Sequence, residues 1–237
     1  MRLDKHLVEQ GYYESRNRAC DAIKSGKVKV DGKIPKPSLK IDESMSVEVA
    51  SEKFYVSRAA KKLESFLDEH FIDFSSKVAL DIGSSTGGFA QLILEGGACS
   101  VDCVDVGRDQ LHISLRDNER LSLHEETDIR EYKSDKKFTL ITCDVSFISI
   151  LQIIQEIDRL SSGQTDIIIL YKPQYEVGRI AKRDSRGVVV DEELIAIKRV
   201  EFLEHTKSMG WSLKYNTISQ LTGREGNREY FFHFVKN

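Results

Sequence analysis

The chain has 237 residues, 40% hydrophobic and 31% charged, with a net charge of -3. This is the composition of a globular protein, long enough for one large domain plus a small partner at ~150 residues per domain, and it excludes a fibrous or low-complexity chain. No apolar run approaches the ~18 residues of a membrane span, and the charged start MRLDKHLVEQGYYESR lacks a secretory h-region, so the expected location is the cytoplasm, with no membrane span.

Residues 1–40 carry ten Lys/Arg against five Asp/Glu, whereas residues 41–237 carry 25 against 33. A basic segment ahead of an acidic body suggests that the first part meets a polyanion, although a solvated surface accounts for the same charges. RLDKHLVEQG places Leu3 and Leu7 four apart and ends at Gly11, the pattern of a short helix with a glycine C-cap. SRNRACDAIKSG opens at Ser15, a candidate N-cap, and closes at Gly26. KVKVDGKIPK alternates around Asp31-Gly32, which predicts a hairpin. In this order the pattern RLDKHLVEQGYYESRNRACDAIKSGKVKVDGK resembles the RNA-binding module named after ribosomal small-subunit protein four. The resemblance covers about fifty residues and implies an α+β domain over 1–50 that grips RNA phosphates, with Lys5, Arg16, Arg18, Lys24 and Lys27 as the candidate contacts.

SVEVA is a candidate last strand of that domain, and residues 51–57 are the expected linker. From 58 to 237 strand-like and helix-like runs alternate. KVALDIG (77–83), CSVDCVDV (99–106), KFTLITCDVSF (137–147) and TDIIILYKP (165–173) are the predicted strands; GGFAQLILEGG, ISILQIIQEIDRL and EELIAIKRVEFLEHTKSMG are helices. Such alternation predicts an α/β fold with a mostly parallel sheet and helices on both faces. WSLKYNTISQ and REYFFHFVKN follow without a helix between them, so an antiparallel hairpin should close the sheet. Cys99, Cys103 and Cys143 fall in or beside apolar runs and are expected as reduced, buried thiols; Cys20 forms no CxxC pair with them. The six histidines show no ligand spacing, so no metal site is expected.

Ligands of open α/β sheets bind at the carboxyl ends of the strands. The first strand ends in DIGSSTGGFAQLIL, where Asp81 precedes a small-residue turn that lets backbone approach a ligand. No GK[ST] follows, and GSSTGG lacks the dinucleotide spacing, so a structural turn explains these residues nearly as well. Asp105, at the end of the next strand, lies about twenty residues beyond the turn, where an acidic residue binds a ribose. Asp128, in EETDIRE, is a looser candidate to face an adenine edge after a third strand. Asp144 ends the fourth strand and Lys172 the fifth, Glu229 opens the last, and Lys62 sits near the start of a helix in YVSRAAKKLESFL. Any one of these is more readily a surface residue. Two lysines and two carboxylates abutting apolar elements at one rim suggest a site.

DIGSSTGGF, VDVG, DVSFIS, KPQYEVGR, GVVVDEEL and GNREYFFHF, in this order behind the basic module, resemble the TlyA family, also called haemolysin A and related to the FtsJ-type ribose methyltransferases. The resemblance spans essentially the whole chain. It implies a Rossmann-like methyltransferase domain over 58–237, S-adenosyl-L-methionine as cofactor, and 2′-O-methylation of a cytidine in ribosomal RNA. The family's Lys-Asp-Lys-Glu tetrad maps onto Lys62, Asp144, Lys172 and Glu229, and its cofactor turn onto Asp81, Gly83, Ser84, Ser85, Thr86, Gly87 and Gly88, with Asp105 at the ribose. The helix reads RAAKK where relatives commonly have glycines, so Lys61 competes with Lys62, and Lys62 is chosen because it directly precedes Leu63. The short end after Glu229 resembles the family's shorter form, which implies large-subunit RNA. DVSF stands where an amino-methylating enzyme would show an [ND]PPY-type turn, which argues against a base nitrogen as target. Lys172 is then the candidate base, Asp144 its orienting partner, Lys62 the group that positions the ribose, and Glu229 the member that completes the network. A cytolysin and a non-catalytic ribosome-assembly factor are the competing readings.

Overall fold

The computed structural model describes residues 1–13, 15–42, 44–50 and 53–237. The chain divides into two units, Met1–Phe54 and Tyr55–Asn237. Residues 51 and 52 of the expected linker lie outside the described residues.

The first unit contains α1 (Leu3–Glu9), α2 (Arg16–Lys24), β1 (Val28–Val30) and β2 (Val47–Val49). Ser15 caps α2 by accepting from the Arg18 amide, and Gly11 and Gly26 follow the two helices with φ of 76° and 78°. Leu3, Leu7, Ala19, Ile23, Val28 and Val30 form the core. Asp31-Gly32 makes the expected tight turn, with Val30 and Lys33 exchanging both backbone hydrogen bonds. The strand that pairs with β1 is not KIPK, however, but β2, antiparallel with Val30 opposite Val47. Pro35 and Pro37 have no N–H to donate, so the arm after the turn cannot build a ladder.

The second unit comprises α3 (Arg58–Glu69), β3 (Val78–Ile82), α4 (Gly88–Glu95), β4 (Ser100–Val104), α5 (Ile113–Arg116), β5 (Leu121–His124), β6 (Phe138–Cys143), α6 (Ile154–Leu160), β7 (Ser161–Tyr171), α7 (Pro173–Glu176), α8 (Glu192–Ser208), β8 (Trp211–Ile218) and β9 (Tyr230–Lys236). One seven-stranded sheet runs β5-β4-β3-β6-β7-β9-β8, parallel from β5 to β7. β9 inserts antiparallel between β7 and β8, so the predicted closing hairpin is present. Alternation along β7 sends Ile167 and Ile169 to one face with Phe202 of α8, and Ile168 and Leu170 to the other with Phe66 of α3 and Phe89 of α4. Both faces are covered, which is why these strands read as unbroken apolar runs.

One expectation needs correction. Cys103 and Cys143 are buried free thiols, but Cys99 is exposed, because β4 begins at Ser100 and Cys99 lies in the turn before it. The third strand expected ahead of Asp128 is present as β5, an edge strand whose Ser122 and Leu123 are exposed, so no apolar run marks it.

Candidate active site

A cavity of about 580 Å³ opens at the carboxyl ends of β3, β6 and β7. Strand β3 delivers Asp81 and then Gly83, Ser84, Ser85 and Thr86; Gly88 and Phe89 follow from α4. The chain reverses here because Gly83 and Gly87 adopt φ of 76° and 88°. A Cβ on Gly83 would lie 2.8 Å from the Asp144 carbonyl, so this turn and the end of β6 pack backbone against backbone. Asp81 is buried and spans the turn's foundations: Thr142 Oγ1 donates to it at 2.7 Å and the Ala90 amide at 3.1 Å. Burial pushes its carboxyl up to about 7, against the pull of these hydrogen bonds. Asp105 braces the turn from outside the cavity lining, accepting from the Ser85 amide at 2.8 Å and the Gly107 amide at 2.7 Å. Gly87 also turns away, toward Leu111 and Leu115.

The second half of the cavity carries the four ionisable groups. Lys62 and Lys172 are each 9% exposed and Glu229 only 2%. They form two ion pairs: Lys62 Nζ lies 2.5 Å from Glu229 Oε2, and Lys172 Nζ lies 2.6 Å from Asp144 Oδ1. Lys172 also donates to Ser146 Oγ at 2.9 Å. Two positive and two negative groups can share so dry a place because each has an opposite partner within bonding distance. Burial alone would lower the Lys172 pKa, but Asp144, with help from Glu229, outweighs it and holds the ammonium above the usual lysine value. Lys61 is not the competitor it resembled: its ammonium lies over the Tyr55 ring, 5.5 Å from the centroid, while Lys62 faces the cavity.

The residues present fit a ligand with polar edges. Ser57 Oγ, Ser84 Oγ and Gln174 Oε1 belong to cavity-lining residues and are buried without a hydrogen-bond partner among the described residues, and Asp144 Oδ1 has its ion pair with Lys172 alone. Buried polar atoms are ordinarily satisfied, so such atoms beside a strand-end cradle suit a bound molecule that supplies the missing partners. Asp128 stands apart, its carboxylate held by the Arg130 guanidinium and amide. In the first unit Lys5, Arg16, Arg18 and Lys24 are exposed and Lys27 is half-buried. Arg16 is tied to the buried Asp4 at 2.7 Å, and Arg2, which sequence reasoning overlooked, donates to the same carboxylate at 3.0 Å. Ser57, Ser146, Gln174 and Asn227 were also missed at the cavity. Only Ser146 carried a signal, standing two residues beyond Asp144 at a strand end. Among the described residues there is no cluster suited to a metal ion and no helix long and apolar enough to cross a membrane.

The profile of the FtsJ-like methyltransferase family matches residues 55–236, and that of the S4 domain matches residues 1–47. A Campylobacter jejuni protein named 23S rRNA (cytidine-2′-O)-methyltransferase TlyA is 43% identical over 257 residues, covering 100% of both chains. A Mycobacterium tuberculosis protein named 16S/23S rRNA (cytidine-2′-O)-methyltransferase TlyA is 35% identical, covering 97% of this chain and 88% of its own. A solved structure from Streptococcus thermophilus, whose description includes the word hemolysin, is 30% identical with a TM-score of 0.72, covering 100% of this chain and 88% of that one.

Proposed function

The chain belongs to the FtsJ-like methyltransferase family, and on that premise we propose that it methylates the 2′-hydroxyl of a cytidine in ribosomal RNA with S-adenosyl-L-methionine as cofactor. The observation that carries the reading is the pair of buried ion pairs, Lys62–Glu229 and Lys172–Asp144, in the same cavity as the Gly83–Gly88 turn. The turn, Asp81 beneath it and Asp105 behind it would hold the cofactor. S-adenosyl-L-methionine supplies an electrophilic methyl group when bound.

The protein's own residues act on the acceptor. Lys172, as the neutral amine, takes the hydroxyl proton: the O–H bond breaks, an N–H bond forms, and the ammonium rests against Asp144. Lys62, clamped by Glu229, presents a fixed N–H donor that positions the ribose. A fixed acceptor oxygen converts an encounter into an oriented reaction, the larger share of the acceleration in a transfer of this kind. Burial pushes the Cys103 and Cys143 thiols up, so they stay protonated and do not compete as nucleophiles. Large-subunit RNA is the favoured substrate, since the relative named for 23S RNA is 43% identical against 35% for the one named for both subunits. A ribosomal substrate also supports a location in the cytoplasm.

The test incubates separated ribosomal subunits, from cells lacking this gene, with methyl-labelled S-adenosyl-L-methionine and either the protein or Lys172→Ala. Alkali-resistant label at one nucleotide, lost at least ~100-fold in the variant, is expected. Full label in Lys172→Ala removes the proposed base. Absence of label from every subunit, alongside measurable cofactor binding, replaces the reading with a non-catalytic assembly factor.

A further inference from the structure

Residues 144–146 leave β6 and carry Asp144 and Ser146 two apart, the spacing that puts alternate side chains of an extended chain on one side. Both reach the same nitrogen: Lys172 Nζ lies 2.6 Å from Asp144 Oδ1 and donates to Ser146 Oγ at 2.9 Å. The segment is clamped at both ends. The Asp144 amide donates to the Ile82 carbonyl at 2.9 Å. At the far end the Glu176 carboxylate accepts from Ser149 Oγ at 2.5 Å and from the Ile150 amide at 2.9 Å. Ser146 is therefore held against the lysine, although it is itself exposed at the cavity wall.

A lysine nitrogen is tetrahedral, with Cε in one position and three others for protons or a lone pair. With a single acceptor two outward positions remain open, and the lone pair of the amine can take either of them. With two acceptors only one direction is left. We propose that Ser146 is a positioning residue for methyl transfer: its hydroxyl takes one of the three outward positions of Lys172, the ion-paired Asp144 carboxylate covers a second side at 2.6 Å, and the third is aimed into the cavity, toward the acceptor hydroxyl. This rests on the ribose-methyltransferase reading above. The geometry serves both protonation states, since the third position holds an N–H in the ammonium and the lone pair in the amine.

The experiment compares the full chain with Ser146→Ala and Ser146→Thr. Label transfer to separated 50S and 30S subunits gives kcat and KM. In the protein without cofactor, acetylation by acetic anhydride, followed by peptide mass spectrometry over about pH 7 to 11, gives the titration midpoints of Lys172 and Lys62. Ser146→Ala should lower kcat about tenfold and leave KM within about twofold. Its Lys172 midpoint should fall by about 0.5, because an acceptor that favours the ammonium is gone, with that of Lys62 unmoved. Ser146→Thr, which keeps the hydroxyl, should restore both. Unchanged kcat together with an unmoved Lys172 midpoint overturns the proposal, as does a loss confined to KM, which would make Ser146 an RNA contact. If the unsubstituted protein labels neither subunit, the ribose-methyltransferase reading fails, while the Lys172 midpoint still decides whether Ser146 holds the nitrogen.

Discussion

Lys172 has two opposing demands on it: a base must shed its proton, and the carboxylate 2.6 Å away favours keeping it. The sign of the outcome is that the ammonium wins in the folded protein, with its pKa above the usual lysine value. At pH 7.5 the neutral amine is then no more than ~10⁻³ of the total. If that amine accepts the hydroxyl proton, kcat/KM rises about tenfold per pH unit from pH 7 to beyond pH 9. A pH–rate profile flat over that range would show that Lys172 acts as an ammonium donor and not as a base. The tetrad was legible because charged residues directly abutting apolar strands are conspicuous, and because a family resemblance assigned them together. The sum of burial and attraction on Lys172 was not, since it depends on distances between residues 28 apart in the chain. Gln174 escaped for another reason: a glutamine in a short helix looks like any other until the cavity beside it is in place, whereas Ser146 at least stood two residues beyond a strand-end Asp144. The same limit applies to Asp105 and Asp128, where composition gave two similar carboxylates and the fold gave one to the turn and the other to Arg130.

Among the elements, the central strands were the most readable, because burial on both faces writes an unbroken apolar run, as in Ile167–Leu170. Edges were the least readable. β5 needs little apolar surface, and the partner of β1 is chosen by which segment can offer N–H groups, not by proximity to the turn. The junction of β3 with α4 illustrates how an element fixes chemistry. Gly83 permits a φ of 76° and also a backbone approach to Asp144 that any Cβ would block. Gly210, between α8 and β8, has a φ of 81° with nothing within 4 Å of a built Cβ. Both Gly→Ala changes should cost ~1–2 kcal/mol from the left-handed backbone alone. Gly83→Ala should in addition weaken S-adenosylhomocysteine binding at least ~10-fold, since the turn must shift away from Asp144. Calorimetric titration and thermal unfolding of the two variants separate these effects. Equal binding by both would mean that the close approach at Gly83 carries no weight in holding the cofactor.

At the scale of the molecule the two units have separate cores: one buried cluster, Leu3 to Ile41, in the first, and two, one on each face of the sheet, in the second. Charge is divided the same way, with the basic excess confined to residues 1–40. An acidic catalytic body is poorly suited to approach ribosomal RNA unaided, because phosphate contacts supply most of the sequence-independent affinity. The exposed Lys5, Arg16, Arg18 and Lys24 can supply it from the first unit. A chain of residues 55–237 should therefore bind S-adenosylhomocysteine within about threefold of the full chain, because the cavity is lined entirely by residues 56–229. Methyl transfer to the large subunit should fall more than ~100-fold, and the dependence of subunit affinity on salt should flatten by a slope of about 3 on a double-logarithmic plot, at roughly 0.7–0.9 for each of the four lost phosphate contacts. The order of failure is informative. Lost cofactor binding in the shortened chain would mean that the catalytic unit needs the first fifty-four residues for its own integrity. Full transfer with an unchanged salt slope would mean that the second unit finds its RNA through its own surface, and would leave the basic module without the docking role its charge suggests.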